Sequence, residues 1–226
     1  MNRNELLAVS VRGMSFSTPM VQALPIKDRT MRAIKGPLND EYRDHVYHVE
    51  PGDEFVFYDY HEVLCREKPR HKVGDIVYVR EAWNKKECWR NGCPAGDEFP
   101  CSLAGCLFGE RAYLYRADKF EDQPVTDCGC DLYEDMRWRP SIHMPKAAAK
   151  TFIRITGVEV QRPQELTIEE IIAEGIDWHG VLRSEFKGKW KDLWDSVQQK
   201  KLLPLYGYEA NPWCFTYKFE VIPYDQ

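Results

Sequence analysis

Lys27-Asp28-Arg29-Thr30-Met31-Arg32 places an ammonium, a hydroxyl and two guanidiniums within six residues. If this stretch is a strand, Thr30 and Arg32 share a face. Lys27, three residues before Thr30, points to the other face of a regular strand. It joins the same site only if the chain turns, and Pro25 just before it makes a turn plausible. The plain alternative is a solvated basic edge strand, whose positive charge guards against edge pairing. On spacing alone that alternative is preferred.

Glu174, in Ala173-Glu174-Gly175, falls at the expected end of a helix. A carboxylate there faces the negative end of the helix dipole, so a nearby lysine or arginine would explain it. Without such a partner it is an ordinary surface glutamate. Trp138-Arg139-Pro140-Ser141-Ile142-His143-Met144-Pro145 carries two prolines and is expected to be extended. Arg139, Ser141 and His143 would then project the same way, as phosphate or base-edge contacts require. The alternative is a core-covering loop with a hydrogen-bonded histidine. Trp83, after Arg80-Glu81, is the tryptophan best placed to stack on a base, with Glu81 beside it. Trp190 and Trp194 are expected in the core.

Cys88 and Cys93 are followed by Cys101 and Cys106, two evenly spaced pairs in a Gly/Pro-rich stretch. They fit a structural zinc that staples a loop too small to fold alone. Cys128 and Cys130 are alternative ligands. Reduced surface thiols are the competing reading, and Cys65 and Cys214 read as buried thiols.

The elements that must position these groups follow from period and punctuation. Ser17-Thr18-Pro19 reads as a helix start, with a hydroxyl N-cap and proline in the first turn. Strands are expected at 29–35, 54–60, 76–79, 112–116, 151–160 and 213–221. Thr167 with Glu170 forms a capping box for a helix that ends at Gly175. A second helix over 184–198 gathers Phe186, Trp190, Leu193, Trp194 and Val197 on one face. Residues 84–111 read as an insertion and 123–140 as a second long loop; loops this long usually carry function or need a staple.

The chain has 226 residues and a net charge of −5. That length suits one domain with insertions and buries a core unaided. The acidic balance argues against coating duplex DNA by charge alone, though a local basic pocket is compatible with it. No stretch approaches the ~20 apolar residues of a membrane span. Eight cysteines without an export signal imply thiols or metal ligands in a reducing, cytoplasmic setting. Residues 1–13 are expected to be an extension or tag, with the domain running from 14 to 226.

Taken in order, these pieces resemble an ASCH domain, a branch of the PUA-like β-barrels. The family's GxKxxExR hallmark is matched by Pro25 to Arg32, with Lys27 and Arg32 in place, Pro25 at the glycine and Thr30 at the glutamate position. Prophage-encoded ASCH proteins are the most similar branch, through Phe16 to Val21, Val73 to Trp83, Trp138 to Pro145, Ala173 to Ile176 and Ala210 to Trp213. The resemblance implies a mixed α+β fold, a PUA-like barrel with flanking helices, and a cleft for RNA or a modified nucleotide. One small bacterial branch removes the acetyl group of N4-acetylcytidine with a lysine, a threonine and a glutamate, which map onto Lys27, Thr30 and Glu174. In that reading Lys27 takes the Thr30 proton, Thr30 attacks the amide carbonyl, and Glu174 orients Lys27 or protonates the leaving amine. Arg29 or Arg32 lowers the Lys27 pKa, and Arg32 holds an oxyanion or phosphate. A third expectation is a phage accessory protein whose cleft serves a protein partner.

Overall fold

Apolar alternation dominates the last strand, and it organises the molecule. The computed structural model describes residues 1–85, 113–118, 137–177 and 179–224. Its principal sheet has five strands: β1 (Gly13–Ser15), β2 (Arg29–Ala33), β6 (Ile76–Arg80), β9 (Phe152–Gln161) and β10 (Cys214–Val221). Their order is β1-β6-β9-β10-β2; β1 lies parallel to β6 and the other pairs are antiparallel. A smaller sheet runs β3 (His48–Glu50), β4 (Phe55–Tyr58), β5 (Val63–Glu67). A separate ribbon pairs β7 (Trp83–Lys85) with β8 (Tyr113–Tyr115). The fold is thus mixed α+β, as expected.

The first half of β10, Cys214 to Tyr217, is buried on both faces, and successive side chains alternate between them. Phe215, Tyr217 and Phe219 pack with Phe55 and Phe57 of β4 and with Val77 and Val79 of β6. Cys214 turns the other way, to Met31, Trp190 and Trp194. That second face is covered by helices α4 (Ile168–Ala173) and α5 (Phe186–Ser196), which follow the short α3 (Pro37–Asp40) in the chain. The tryptophan pair expected in the core is there, and each indole N–H is satisfied, Trp190 by the Pro163 carbonyl and Trp194 by the Tyr206 carbonyl. Each such burial is worth about 2–3 kcal/mol.

A third cluster collects Leu6, Trp83, Tyr115, Met144 and Phe152. Leu6 belongs to α1 (Arg3–Val9), which starts at an Asn2–Glu5 capping box. Arg3 Nε donates to the Ala149 carbonyl at 3.0 Å. The segment expected as an appendage is therefore packed against residues 144–152.

Two edges limit the principal sheet, and among the described residues no ladder joins β1 to β2. A side chain spans them instead: Arg32 Nη2 donates to the Ser15 carbonyl at 2.7 Å. The stretch expected to be extended around Ser141 differs. Ser141–His143 form a 3-10 turn between Pro140 and Pro145, with the His143 N–H on the Pro140 carbonyl and the Met144 N–H on the Ser141 carbonyl. At three residues per turn the alternation of Arg139, Ser141 and His143 is lost. Cys88, Cys93, Cys101, Cys106, Cys128 and Cys130 lie outside the described residues, as does Trp178.

Candidate functional site

Lys27 reaches the site because the chain does turn. After α2 (Thr18–Gln22) the Ile26 and Lys27 amides both bond the Ala23 carbonyl, and the Asp28 amide bonds that of Ala173. Lys27 Nζ then donates to Glu174 Oε2 at 2.7 Å and also to the Glu174 carbonyl. One ammonium thus satisfies a carboxylate and a carbonyl that the end of α4 leaves open. Gly175 makes the contact possible. Its φ is +99°, and a Cβ there would stand 2.8 Å from the Ala23 Cβ and 3.4 Å from the Lys27 Cδ.

The other end of α4 is tied to β2 in the same manner. Thr167 and Glu170 close the expected capping box, and Glu170 Oε1 accepts from Arg29 Nη1 at 2.8 Å and from Gln161 Nε2 at 3.1 Å. Glu170 and Glu174 are four apart and share one helix face. Two cations flanking the start of β2 therefore clamp α4 along its length. Arg29 belongs to this clamp.

Lys27 is 3% exposed, Glu174 1% and Thr30 0%. Burial lowers the Lys27 pKa below its usual value; the Glu174 carboxylate opposes the shift and Arg32 reinforces it. Thr30 Oγ1 has no hydrogen-bond partner among the described residues. Thr30 pairs with Tyr217 across the ladder and Arg32 with Phe215. The Arg32 guanidinium lies over the Phe16 ring at 5.4 Å, and Lys27 Nζ stands 6.0 Å from the same centroid.

A cleft of about 630 Å³ opens beside the β2 edge. It is lined by Gly13 to Ser15, Met31 to Lys35, residues 67–71 in part, Arg80, Ile142, Glu174, Phe215, Tyr217 and the Trp190–Trp194 face of α5. Five cations border it, Arg32, Lys35, Lys68, Arg70 and Arg80, against two carboxylates, Glu67 and Glu174. Among the described residues, four polar atoms of its lining are buried without a partner: Ser15 Oγ, His71 Nδ1, Arg80 Nε and Glu174 Oε1. Buried polar groups are normally paired, so such a concentration calls for an explanation.

His71 sits at the back of this cleft, 2% exposed, its ring edge-on to Tyr217 at 5.6 Å. Burial, helped by Arg70, pushes its pKa down to about 4, so the imidazole is neutral at neutral pH. The Tyr217 hydroxyl accepts from the Arg70 amide at 3.0 Å. Nothing in the sequence marks His71, Ser15 or Arg80 as a set. They lie on three separate segments, and only the β1–β6 pairing and the turn before β6 assemble them.

The remaining expected residues stand elsewhere. Trp83 is 5% exposed and packs in the third cluster, so it offers no open face to a base. Arg139 covers it, with the guanidinium 5.2 Å from the ring. His143 is exposed and Ser141 half-buried, and neither lines the cleft. Glu81 is fully buried behind them, with Lys150 Nζ 3.8 Å from Oε1. Burial raises its pKa to about 7, with Lys150 opposing. A shallower hollow of about 650 Å³ is lined by Lys27, Asp28, Asp118, Lys150 and Phe219 among others. Lys27 borders this hollow and Glu174 the cleft, so their ion pair stands between the two.

Among the described residues no group of three or more His, Cys, Asp or Glu side chains is placed to hold a metal ion. No helix among them is long and apolar enough to cross a membrane. No family model and no curated protein matches the chain. Among solved structures, a DUF984-family protein from Enterococcus faecalis is similar to it at 11% identity and a TM-score of 0.37, over 94% of this chain and 76% of that one.

Proposed function

We propose that the chain is an ASCH-type, PUA-like protein whose cleft binds RNA or a modified nucleotide. The observation that carries this reading is the cleft itself. In a chain of net charge −5, five cations border one concavity whose lining leaves four polar atoms unpaired. Cations gathered in a concave, partly apolar site attract an anionic ligand, and orphaned polar groups are what a ligand would satisfy. Leu193 of α5 and the exposed Val197 at its end supply apolar wall for a base. Short RNA oligomers titrated at two salt concentrations test it. Affinity that weakens with salt supports the reading, and no affinity at low salt overturns it.

A second reading, an amidohydrolase on N4-acylated cytidine, is favoured by one further observation. The Thr30 hydroxyl is buried without a partner among the described residues, and Lys27, three positions before it in the chain, has a lowered pKa. Neutral Lys27 would accept the Thr30 proton as Oγ1 attacks the acetyl carbonyl. The C–N bond then breaks, the proton passes to the departing amine, and water hydrolyses the acetyl ester. Thr30 has no exposed surface, so this chemistry requires the cleft wall to open. Release of cytidine from N4-acetylcytidine, lost in Thr30→Ala, is the result expected of it; a folded protein with no turnover excludes it.

A further inference from the structure

The unpaired polar groups of the cleft fall into two sets of opposite character. In the first set Ser15 and Arg80 are partners in the β1–β6 register, and Arg32 reaches across to the Ser15 carbonyl. The Ser15 hydroxyl and the Arg80 side chain therefore start from paired positions, the Arg32 guanidinium is bound to the backbone of Ser15, and all three residues line the cleft. Among the described residues Ser15 Oγ and Arg80 Nε are without partners, and Arg80 Nη1 makes a long contact, 3.4 Å, to the Ile142 carbonyl. Gly13 permits this packing, since a Cβ would stand 2.8 Å from Arg80 Cδ and 2.6 Å from the Tyr78 ring. Planar guanidinium forks with a hydroxyl beside them suit the oxygens of a phosphate.

The second set is buried more deeply. Glu174 Oε1 and His71 Nδ1 belong to side chains 1% and 2% exposed, and both line the same cleft. A carboxylate repels a second anion but accepts from an N–H. The imidazole is uncharged at neutral pH, so it adds no anion attraction of its own.

We infer that the cleft takes a phosphorylated nucleotide rather than a free nucleoside, with the phosphate on Ser15, Arg32 and Arg80 and a base N–H on Glu174. This inference rests on the nucleotide-binding reading above and adds to it which end of the ligand each set of groups holds.

Calorimetric titration of the full chain with cytidine 5′-monophosphate, cytidine and inorganic phosphate tests it. The monophosphate should bind at least about tenfold tighter than cytidine, the loss expected when a charge-assisted contact is missing. Phosphate alone should bind more weakly than the monophosphate. Arg80→Gln should bring the monophosphate down toward the level of cytidine, and Ser15→Ala, which removes only a hydroxyl, should move it the same way. Arg80→Lys should recover part of the loss. Equal affinity for the monophosphate and cytidine overturns the inference and leaves nucleotide binding standing. Phosphate as tight as the monophosphate overturns the two-ended arrangement. Binding of an RNA oligomer without any binding of the monophosphate overturns it as well. If neither the oligomer nor any mononucleotide binds, the function proposed for the cleft falls with it.

Discussion

Lys27 and Glu174 meet at 2.7 Å with both side chains wholly removed from solvent. One residue precedes the first strand of the β2–β10 ladder and the other ends α4, 147 positions later. The contact therefore fixes the helix layer on the sheet edge that forms the cleft. It also fixes which way Glu174 points. One carboxylate oxygen is spent on Lys27 and the other is left toward the cleft.

Removing one member of this pair strands the other as a buried charge. Lys27→Met and Glu174→Leu are each expected to cost about 3–5 kcal/mol of stability. The double variant should lose clearly less than the sum, because two apolar side chains leave no stranded charge. Urea unfolding of the four proteins gives the cycle. Additive losses would show that the two groups act independently.

Gly175→Ala should destabilise the protein by a different route. The residue sits at a φ that side chains rarely adopt, and the added methyl meets the Ala23 Cβ at 2.8 Å. The loss should be about 1–3 kcal/mol. Replacing Gly74 by alanine is the control, since its φ is +90° but nothing lies within 4 Å of a Cβ. The Gly175 variant should unfold at lower urea than the Gly74 variant. Equal losses would mean that backbone conformation alone accounts for both.

The parts of this arrangement that local sequence encodes are legible in it. The Thr167–Glu170 capping box, the glycine that ends α4 and the apolar face of α5 each follow from residues close together in the chain. Glu174 at the negative end of a helix implied a cation, and Lys27 is that cation. What was not legible depends on tertiary pairing. Strands β1 and β3 have three residues each, too few for a period to show. Trp83 reads as an exposed stacking residue because burial comes from β8, Met144 and Phe152, far from it in sequence. The two prolines around Ser141 suggested an extended segment, yet the 3-10 turn between them is set by bonds from the His143 and Met144 amides.

Glu81 makes stability depend on pH in an unusual direction. Its folded pKa is raised from 4.5 to about 7, so the native state holds a proton that the unfolded state releases between those values. Its contribution is fully present below about pH 4.5 and is lost as pH rises through 7. A shift of this size corresponds to no more than about 3 kcal/mol. Glu81→Gln, which keeps the shape without the charge, should remove this slope. Urea midpoints between pH 6.5 and 8 that fall in the parent protein and stay level in the variant meet the expectation. Parallel curves would show that Glu81 ionises in the fold as it does in the unfolded chain.

His71 supplies the opposite slope. Its folded pKa, about 4 against 6.5 when free, means that the unfolded state binds the extra proton first as pH falls. The stability it contributes is present above about pH 6.5 and is lost as pH drops toward 4. Between pH 4.5 and 6.5 Glu81 and His71 therefore pull against each other, each by no more than about 3 kcal/mol, and the parent curve should be nearly flat there. The Glu81→Gln variant should unmask the histidine, with stability rising from pH 4.5 to 6.5. Adding His71→Phe to it should flatten the curve again. The imidazole can also be followed directly by nuclear magnetic resonance, where its ring signals should hold still from pH 8 down to about 5 and move only below that. A midpoint near 6.5 would place the ring in contact with water, and the back of the cleft would then be an open surface rather than a pocket with an unpaired nitrogen.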